Sequence, residues 1–349
     1  MEALLNKPKY DPVTLIIDGN HALCRSIYQP SYRELSTSRG MPTGGIYGFC
    51  SILKGLANKL GASSVVVVFD GGHSKRRIDI YGDYKKREPD EEVHEDTGMT
   101  TAQYFQHQFS WIKTLLDKLG ILTLSVQGRE GDDLIFQVAH LLRGKKIIVS
   151  EDRDFCSLVT EDTSLYRPVK GEMITDSNFK EATGCETPKH FLYQKVMLGD
   201  GSDNIPSVCK GIGPAAVDSI LKDISESELS PERIIEVAKT KKGVKYDRLV
   251  MSGTAPIERN LGLIDISREE FSNLELMDIC DSLKKERVQD LPNATKLMNA
   301  LEFSHDTQYA LREFSAQVYG FDTGSLVDTS YIRERMSGHS TSLYQEVSL

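Results

Sequence analysis

The amino-acid sequence predicts an α/β fold: a mainly parallel, doubly wound sheet with one long insertion, followed by a helical C-terminal region. Four short apolar runs, at 13–17, 64–69, 121–126 and 145–150, have the length and composition of strands covered on both faces. The segments between them repeat apolar residues at helical spacing. From about residue 187 only helical patterns remain, broken by Gly and Pro.

The run 13–17 ends at Asp18-Gly19-Asn20 and reads as strand, then turn. Ile46, Phe49, Leu53, Leu56 and Leu60 mark a helix that Gly61 stops. The β-branched run 65–69 ends at Asp70-Gly71-Gly72. Residues 72 to 100 lack comparable periodicity. They carry Lys75, Arg76 and Arg77, then Tyr84, Lys85, Lys86 and Arg87, then an acidic run over 88–96. An insertion this long inside an α/β unit calls for a functional or disorder explanation. Phe105, Phe109, Ile112, Leu115, Leu116 and Leu119 resume a helix up to Gly120, and 121–126 is the next strand. Leu134, Ile135, Val138, Leu141 and Leu142 mark another helix, stopped by Gly144, before a strand at 147–149. This reading places a sheet domain at 1–199 with its insertion at about 72–100, a helical region at 200–320, and a mobile tail at 321–349.

A chain of 349 residues can bury a full core in two lobes. Its net charge of −9 argues against a uniformly basic nucleic-acid binder. Nine of the 51 acids sit at strand ends or in short acid-rich turns; the remaining 42 equal the 42 Lys plus Arg. Any phosphate-binding surface must then arise from local clustering of basic residues. The six cysteines, Cys24, Cys50, Cys156, Cys185, Cys209 and Cys280, form no CxxC and read as reduced thiols. Neither a signal-peptide pattern nor a bilayer-length apolar run is present. These features predict a soluble protein of the reducing cytoplasm, with no membrane partner.

The nine acids are Asp18, Asp70, Glu130, Asp132, Asp133, Asp152, Asp154, Asp200 and Asp203. In open α/β sheets the functional crevice lies beyond the carboxyl ends of the strands. Acids gathered there raise one another's pKa unless cations compensate. Hard divalent ions with oxygen ligands are the natural compensators, and a two-metal carboxylate site points to phosphodiester chemistry.

Each motif also has a plainer reading. Glu130-Gly131-Asp132-Asp133 opens a helix, where one acid suffices for capping but three exceed that need. Asp152 and Asp154 alternate after a strand, so both can face one cleft; alone they would make a polar turn. Gly199-Asp200-Gly201-Ser202-Asp203-Asn204-Ile205-Pro206 runs into Gly211-Ile212-Gly213, a hairpin whose N–H groups can receive phosphate oxygens. The basic residues of the insertion can grip phosphates and Tyr84 can stack on a base, or the loop is merely solvated. The same choice holds for Lys239, Lys241, Lys242 and Lys245. His21 is expected to be structural. Walker, Rossmann and Ser-His-Asp signatures are absent.

Taken together, these strings resemble the 5′-nuclease family, which includes the 5′-nuclease domain of bacterial DNA polymerase I and phage-encoded flap endonucleases. The resemblance rests on Asp18-Gly19-Asn20 with Arg25, Phe69-Asp70-Gly71, Glu130-x-Asp132-Asp133, Ser150-x-Asp152-x-Asp154-Phe155, the Gly199–Pro206 string with its GxG, and Arg259-Asn260-Leu261. It spans roughly residues 13 to 265.

The resemblance implies a PIN-like sheet and a structure-specific 5′-3′ exonuclease and flap endonuclease acting in replication or repair. Two Mg²⁺ ions, replaceable by Mn²⁺, are implied. Asp70, Glu130, Asp132, Asp152 and Asp154 would serve one site with Asp18 nearby, and Asp200, Asp203 and Asp133 the other. Arg25 and Lys85 match positions that contact the scissile phosphate. The insertion would be a helical arch for the 5′ strand, with Tyr84, Lys86 and Arg87 on the substrate. A helix-hairpin-helix at Gly211 and Gly213 would hold duplex DNA, with K⁺ as an accessory ion. Implied partners are branched or nicked DNA with a 5′ single-stranded end, RNA·DNA and replication proteins.

Two departures stand out. Gly131 replaces a frequent Ala, without expected consequence. Arg87 comes one residue early against a Tyr-Lys-x-x-Arg pattern, which leaves the roles of Lys86 and Arg87 open. A PIN-type ribonuclease is the enzymatic alternative, against which the long insertion and the hairpin argue. A silent DNA-binding accessory factor is the other, against which the full set of acids argues.

Overall fold

The computed structural model describes residues 12–87, 98–319, 323–330 and 332–333. In chain order the elements are β1 (Val13–Asp18), α1 (Gly19–Tyr28), α2 (Pro30–Arg33), α3 (Gly44–Leu60), β2 (Ser64–Val68), α4 (Lys75–Ile80), α5 (Thr101–Lys118), β3 (Leu122–Leu124), α6 (Gly131–Leu141) and β4 (Lys145–Val149). A 3-10 turn at Arg153–Leu158 leads to β5 (Thr163–Arg167) and β6 (Glu172–Ile174). Then come α7 (Phe179–Thr183), α8 (Pro188–Leu198), α9 (Pro214–Leu221), α10 (Pro231–Thr240), α11 (Val244–Ser252), α12 (Ala255–Ile264), α13 (Asn273–Lys284), α14 (Leu291–Ala300) and α15 (His305–Tyr319).

These elements form two compact units. The first takes residues 1–72, 89–151 and 271–349; the second takes 73–88 and 152–270. The division differs from the single change expected near residue 199.

In the first unit four parallel strands lie in the order β3-β2-β1-β4, with Ile16 paired to both Val66 and Ile148, and Val66 to Leu122. Every residue of β2 is buried, as its unbroken β-branched run requires. Helix α3 ends where Gly61 turns left-handed, at φ 64°. The Phe69 ring packs between Phe49 and Phe109, with centroids 6.0 and 4.9 Å away. After Asp18 the expected turn is instead a helix start, because the Asp18 carboxylate caps α1 by accepting from the His21 N–H at 2.9 Å.

Helices α13 to α15 also belong to this unit, so they are not part of one helical region running from 200 to 320. Ser315 donates to the Leu119 carbonyl at 2.6 Å, and the Ser64 and Thr323 hydroxyls meet at 2.7 Å. Part of the expected mobile tail is docked here. The Asp328 N–H donates to Leu141, and Arg143 pairs with the Asp328 carboxylate at 2.8 Å. The rest of the tail, and the acidic run at 88–96, lie outside the described residues.

The second unit contains the antiparallel β5–β6 hairpin, which the sequence reading missed, and helices α4 and α7 to α12. Its core gathers Val196, Met197, Val217, Ile220, Ile234, Leu249 and Ile257, all essentially inaccessible, around the helices. The beginning of the insertion is anchored in this unit. Ser74 caps α4, and both the Ser74 hydroxyl (2.8 Å) and Arg76 Nε (2.9 Å) donate to the buried Glu269. Arg77, 2% exposed, donates through Nε to the Leu263 carbonyl at 2.8 Å. Arg76 and Arg77 are therefore anchors of α4, a correction to their expected role as exposed phosphate grips. Lys75 stays at the surface, paired with Asp79.

Candidate metal and phosphate site

The first unit carries five of the nine acids. Asp18 ends β1 and Asp70 follows β2, its neighbour in the sheet. Asp18 is half-buried and accepts from the Ser150 hydroxyl at 2.7 Å. Burial pushes its carboxyl up, opposed by the His21 N–H and the Ser150 hydroxyl and reinforced by the Asp70 charge. Asn20, in the first turn of α1, links the two strand ends: its amide donates to Asp70 Oδ2 at 2.7 Å, and its side-chain carbonyl oxygen accepts from the Asp70 N–H at 3.0 Å. Asp70 Oδ1 in turn accepts from the Gly131 N–H at 2.5 Å, at the start of α6. Glu130 is the buried N-cap residue of α6, and Asp132 and Asp133 fill its first turn, Asp133 fully buried. The structure thus ties the Asp70 turn to the helix that bears the other three acids.

Two glycines matter to this arrangement. A Cβ on Gly71 would lie 1.9 Å from the Val126 carbonyl oxygen, so only glycine lets the 71 and 126–129 segments exchange their hydrogen bonds (Gly71 N–H to Arg129 O, 2.9 Å; Gly128 N–H to Gly71 O, 2.8 Å). A Cβ on Gly131 would lie 2.8 Å from Asp70 Oδ1. Alanine there would require the Asp70 carboxylate to give way by a few tenths of an ångström.

Arg129, beside Glu130, makes a bidentate pair with Glu275 of α13 at 2.8 and 2.9 Å and lies over the Phe271 ring at 4.8 Å. The Arg129 guanidinium holds the Glu275 carboxyl down at about 2. Arg25 stands half-exposed in the last turn of α1.

The second unit carries Asp152, Asp154, Asp200 and Asp203. Asp152 caps the 3-10 turn and accepts from the Asp154 N–H at 2.8 Å. The Lys195 ammonium contacts Asp154 and Asp200, the latter at 2.9 Å. Burial and the neighbouring Asp152 push the Asp154 carboxyl up to about 7 despite Lys195. Burial also acts on Asp200, but Lys195 and Ser202 outweigh it and hold that carboxyl at about 2. Sequence reasoning missed Lys195. A lysine five residues before Asp200 on a helix carries no local sign that it will meet Asp154.

The turn from Gly199 to Pro206 is tightly closed. The Asp200 N–H donates to the Ile205 carbonyl at 2.8 Å and the Ile205 N–H to the Asp200 carbonyl at 2.7 Å. Gly199 adopts φ 75°, and a Cβ there would lie 2.4 Å from the Ile205 carbonyl oxygen. Fully buried Asn260 on α12 staples this turn to α8, donating to both the Val196 and Pro206 carbonyls at 2.8 Å. Asn204 donates to the Asp83 and Lys86 carbonyls at 3.1 and 2.7 Å, and the Lys85 N–H donates to the Asp203 carbonyl at 3.0 Å. The Lys85 ammonium comes within 3.9 Å of the Asp203 carboxylate.

Tyr84 is 5% exposed in the core of this unit, with Arg77 and Lys85 over its ring. A buried ring cannot stack on a base, so the expected role of Tyr84 is corrected to packing. Lys86 and Arg87 are exposed. Gly211, at φ 84°, and Gly213, the N-cap of α9, form the expected hairpin, with Arg248 donating to the Lys210 carbonyl beside it. Lys239 and Lys242 are exposed, whereas Lys241 pairs with Asp223 at 2.5 Å.

Among the described residues, no three His, Cys, Asp or Glu side chains are grouped as a ready metal-binding centre. The Lys195 ammonium is a stand-in cation on two carboxylates, and the oxygen donors that hold it are of the kind a hard divalent ion takes.

The description "5′-3′ exonuclease, N-terminal resolvase-like domain" matches residues 13–184. The chain is 33% identical over 216 residues to the 5′-3′ exonuclease of Aquifex aeolicus, a match that covers 61% of this chain and 70% of that protein. It is 34% identical over 230 residues to the thermostable DNA polymerase I of Thermus thermophilus, covering 64% of this chain but 25% of the polymerase. The chain belongs to the 5′-3′ exonuclease family. The bacteriophage T5 flap endonuclease, crystallised in a pseudo-enzyme-product complex with DNA and metal ions, shares the fold with a TM-score of 0.56 at 19% identity, over 87% of this chain and 99% of that one. Another T5 protein structure, co-crystallised with metal ions, gives a TM-score of 0.58 at 18% identity, over 88% and 99%.

Proposed function

We propose that this nuclease is a divalent-metal-dependent, structure-specific 5′ nuclease that hydrolyses DNA near a 5′ single-stranded end. The observation that carries the reading is the coupling of Asp18 and Asp70, at the ends of paired parallel strands, to the acid-bearing first turn of α6 through Asn20 and the Gly131 N–H. Family membership and the T5 relative, which holds DNA and metal ions, support it.

Asp18, Asp70, Glu130, Asp132, Asp133, Asp152, Asp154, Asp200 and Asp203 would hold two ions, Mg²⁺ or Mn²⁺. Bound there, the ions would polarise the phosphodiester and neutralise charge developing on its oxygens. Arg25, half-exposed, and Lys85, fixed through its backbone to Asp203, would orient the scissile phosphate and stabilise its charge. The Gly211–Gly213 hairpin, with Lys210 and Arg248 beside it and K⁺ as an accessory ion, would hold the duplex backbone. Branched or nicked DNA is the proposed substrate, with RNA·DNA and replication proteins as further partners. Recognition through phosphates implies weak sequence preference.

The test is incubation of an end-labelled 5′-flap substrate with and without Mg²⁺, using the wild type, Asp70→Asn and Asp154→Asn. Cleavage should require the ion and fall by orders of magnitude in both variants while DNA binding persists. Ion-independent cleavage, or near-normal turnover by both variants, would overturn the proposal.

A further inference from the structure

We infer that Lys195 is a tethered cation that holds Asp154 and Asp200 together before an ion arrives and must leave them for that ion to bind; this rests on the divalent-metal reading above. Lys195 lies in the last turn of α8, where a cation is favoured by the helix dipole. Its ammonium bridges Asp154, at the start of the Arg153–Leu158 turn, and Asp200, in the closed turn that follows α8. The three side chains are only 18–21% exposed, so solvent ions screen them poorly. Asp152 is bound to the backbone of the same turn and adds a further negative charge.

Two carboxylates held close repel one another unless a positive charge or a proton compensates, and among the described residues the Lys195 ammonium contacts both Asp154 and Asp200. Its own backbone is fixed as well: the Gly199 N–H donates to the Lys195 carbonyl at 2.8 Å, and Asn260 binds the next carbonyl, that of Val196. The stem is anchored while the ammonium can swing on its flexible methylenes. An ion that takes oxygens from Asp154 and Asp200 meets competition from the ammonium and is repelled by it. Lys195 therefore keeps the acids arranged in the resting protein and weakens the ion that replaces it. It is a positioning residue, acting through the two aspartates.

The experiment is a DNA-free titration with Mn²⁺, read by calorimetry and by the paramagnetic resonance of free ion. Wild type, Lys195→Met, Lys195→Gln and Lys195→Arg are compared. Lys195→Met should tighten the weaker Mn²⁺ event by on the order of tenfold, because a nearby positive charge has gone. It should also lower the ion-free melting temperature, with Mn²⁺ restoring more than it restores in the wild type. Lys195→Arg, which keeps the charge, should return the affinity towards the wild-type value. Lys195→Gln replaces Lys195→Met if the latter does not fold, and the same result is expected.

Unchanged or weaker Mn²⁺ binding in a folded, uncharged variant would overturn the inference and leave the metal reading standing if the wild type binds. No Mn²⁺ uptake by any of the proteins would overturn both.

Discussion

Replacing Glu275 by Gln removes one side of the bidentate pair that braces the segment leading into Glu130. The pair has near-ideal geometry, two contacts at 2.8 and 2.9 Å, and its side chains are 21% and 24% exposed. Holding the Glu275 carboxyl at about 2 rather than 4.5 corresponds to about 3 kcal/mol by linkage, to which Arg129 contributes most and the Ser272 N–H and hydroxyl the rest. Solvent reaches part of the pair, so about 1–2 kcal/mol is the discounted expectation. Because the folded-state pKa is depressed, this contribution is complete above about pH 4.5 and disappears as the pH falls towards 2. The assay is urea unfolding followed by fluorescence. The single tryptophan, Trp111, lies in α5 of the same unit and reports on it. Glu275→Gln should lower stability by about 1–2 kcal/mol at pH 7, the difference should shrink to about half by pH 3, and the two proteins should converge only as the pH falls to about 2. An Arg129 and Glu275 double-mutant cycle should return a coupling of similar size. A deficit that stays constant from pH 7 to pH 3, or zero coupling, would refute the assignment of stability to this ion pair.

Other outcomes follow from the same structure. Lys85→Ala should slow the chemical step by about 10²-fold in single-turnover cleavage, as loss of an electrostatic stabiliser does; a fall in affinity alone would make Lys85 a binding contact. Asn260→Leu should cost about 2–3 kcal/mol in chemical denaturation, since the buried Val196 and Pro206 carbonyls lose their donor. DNA binding, measured by fluorescence anisotropy across a salt series, should weaken steeply and linearly on a logarithmic plot, and a flat response would exclude a phosphate-dominated interface.

The parallel strands were legible because burial on both faces writes an unbroken β-branched run, as at 64–68. The helix stops at Gly61 and Gly120 were legible because a left-handed terminal residue favours glycine. The acids of the candidate site could be named because each sits beside a strand end or a turn signal. The β5–β6 hairpin was missed because its strands are only five and three residues long and carry charged ends. Arg76, Arg77 and Tyr84 were misread for a different reason. Glu269 and Leu263, which hold Arg76 and Arg77, lie more than 180 residues downstream, and the core that buries Tyr84 is drawn mostly from residues 192–264; no local pattern says that a charged segment will be buried against them. Lys195 and Asn260 share that difficulty: their roles are set by contacts 41 and 64 residues distant.

The interleaving of the two units has a consequence for synthesis. The second unit is complete once residue 270 has emerged, whereas the first cannot close until α13 to α15 and the segment reaching Asp328 have followed. At about 5–20 residues per second, the parallel strands, complete at Val149, wait roughly 10–30 seconds on the ribosome for helix α15 to end at Tyr319. A chain cut at residue 270 would keep every acid proposed for catalysis yet expose apolar surface that α13 to α15 normally cover. It should therefore aggregate or require a chaperone, so the last quarter of the chain would govern the yield of usable enzyme while supplying none of the acids proposed for its chemistry.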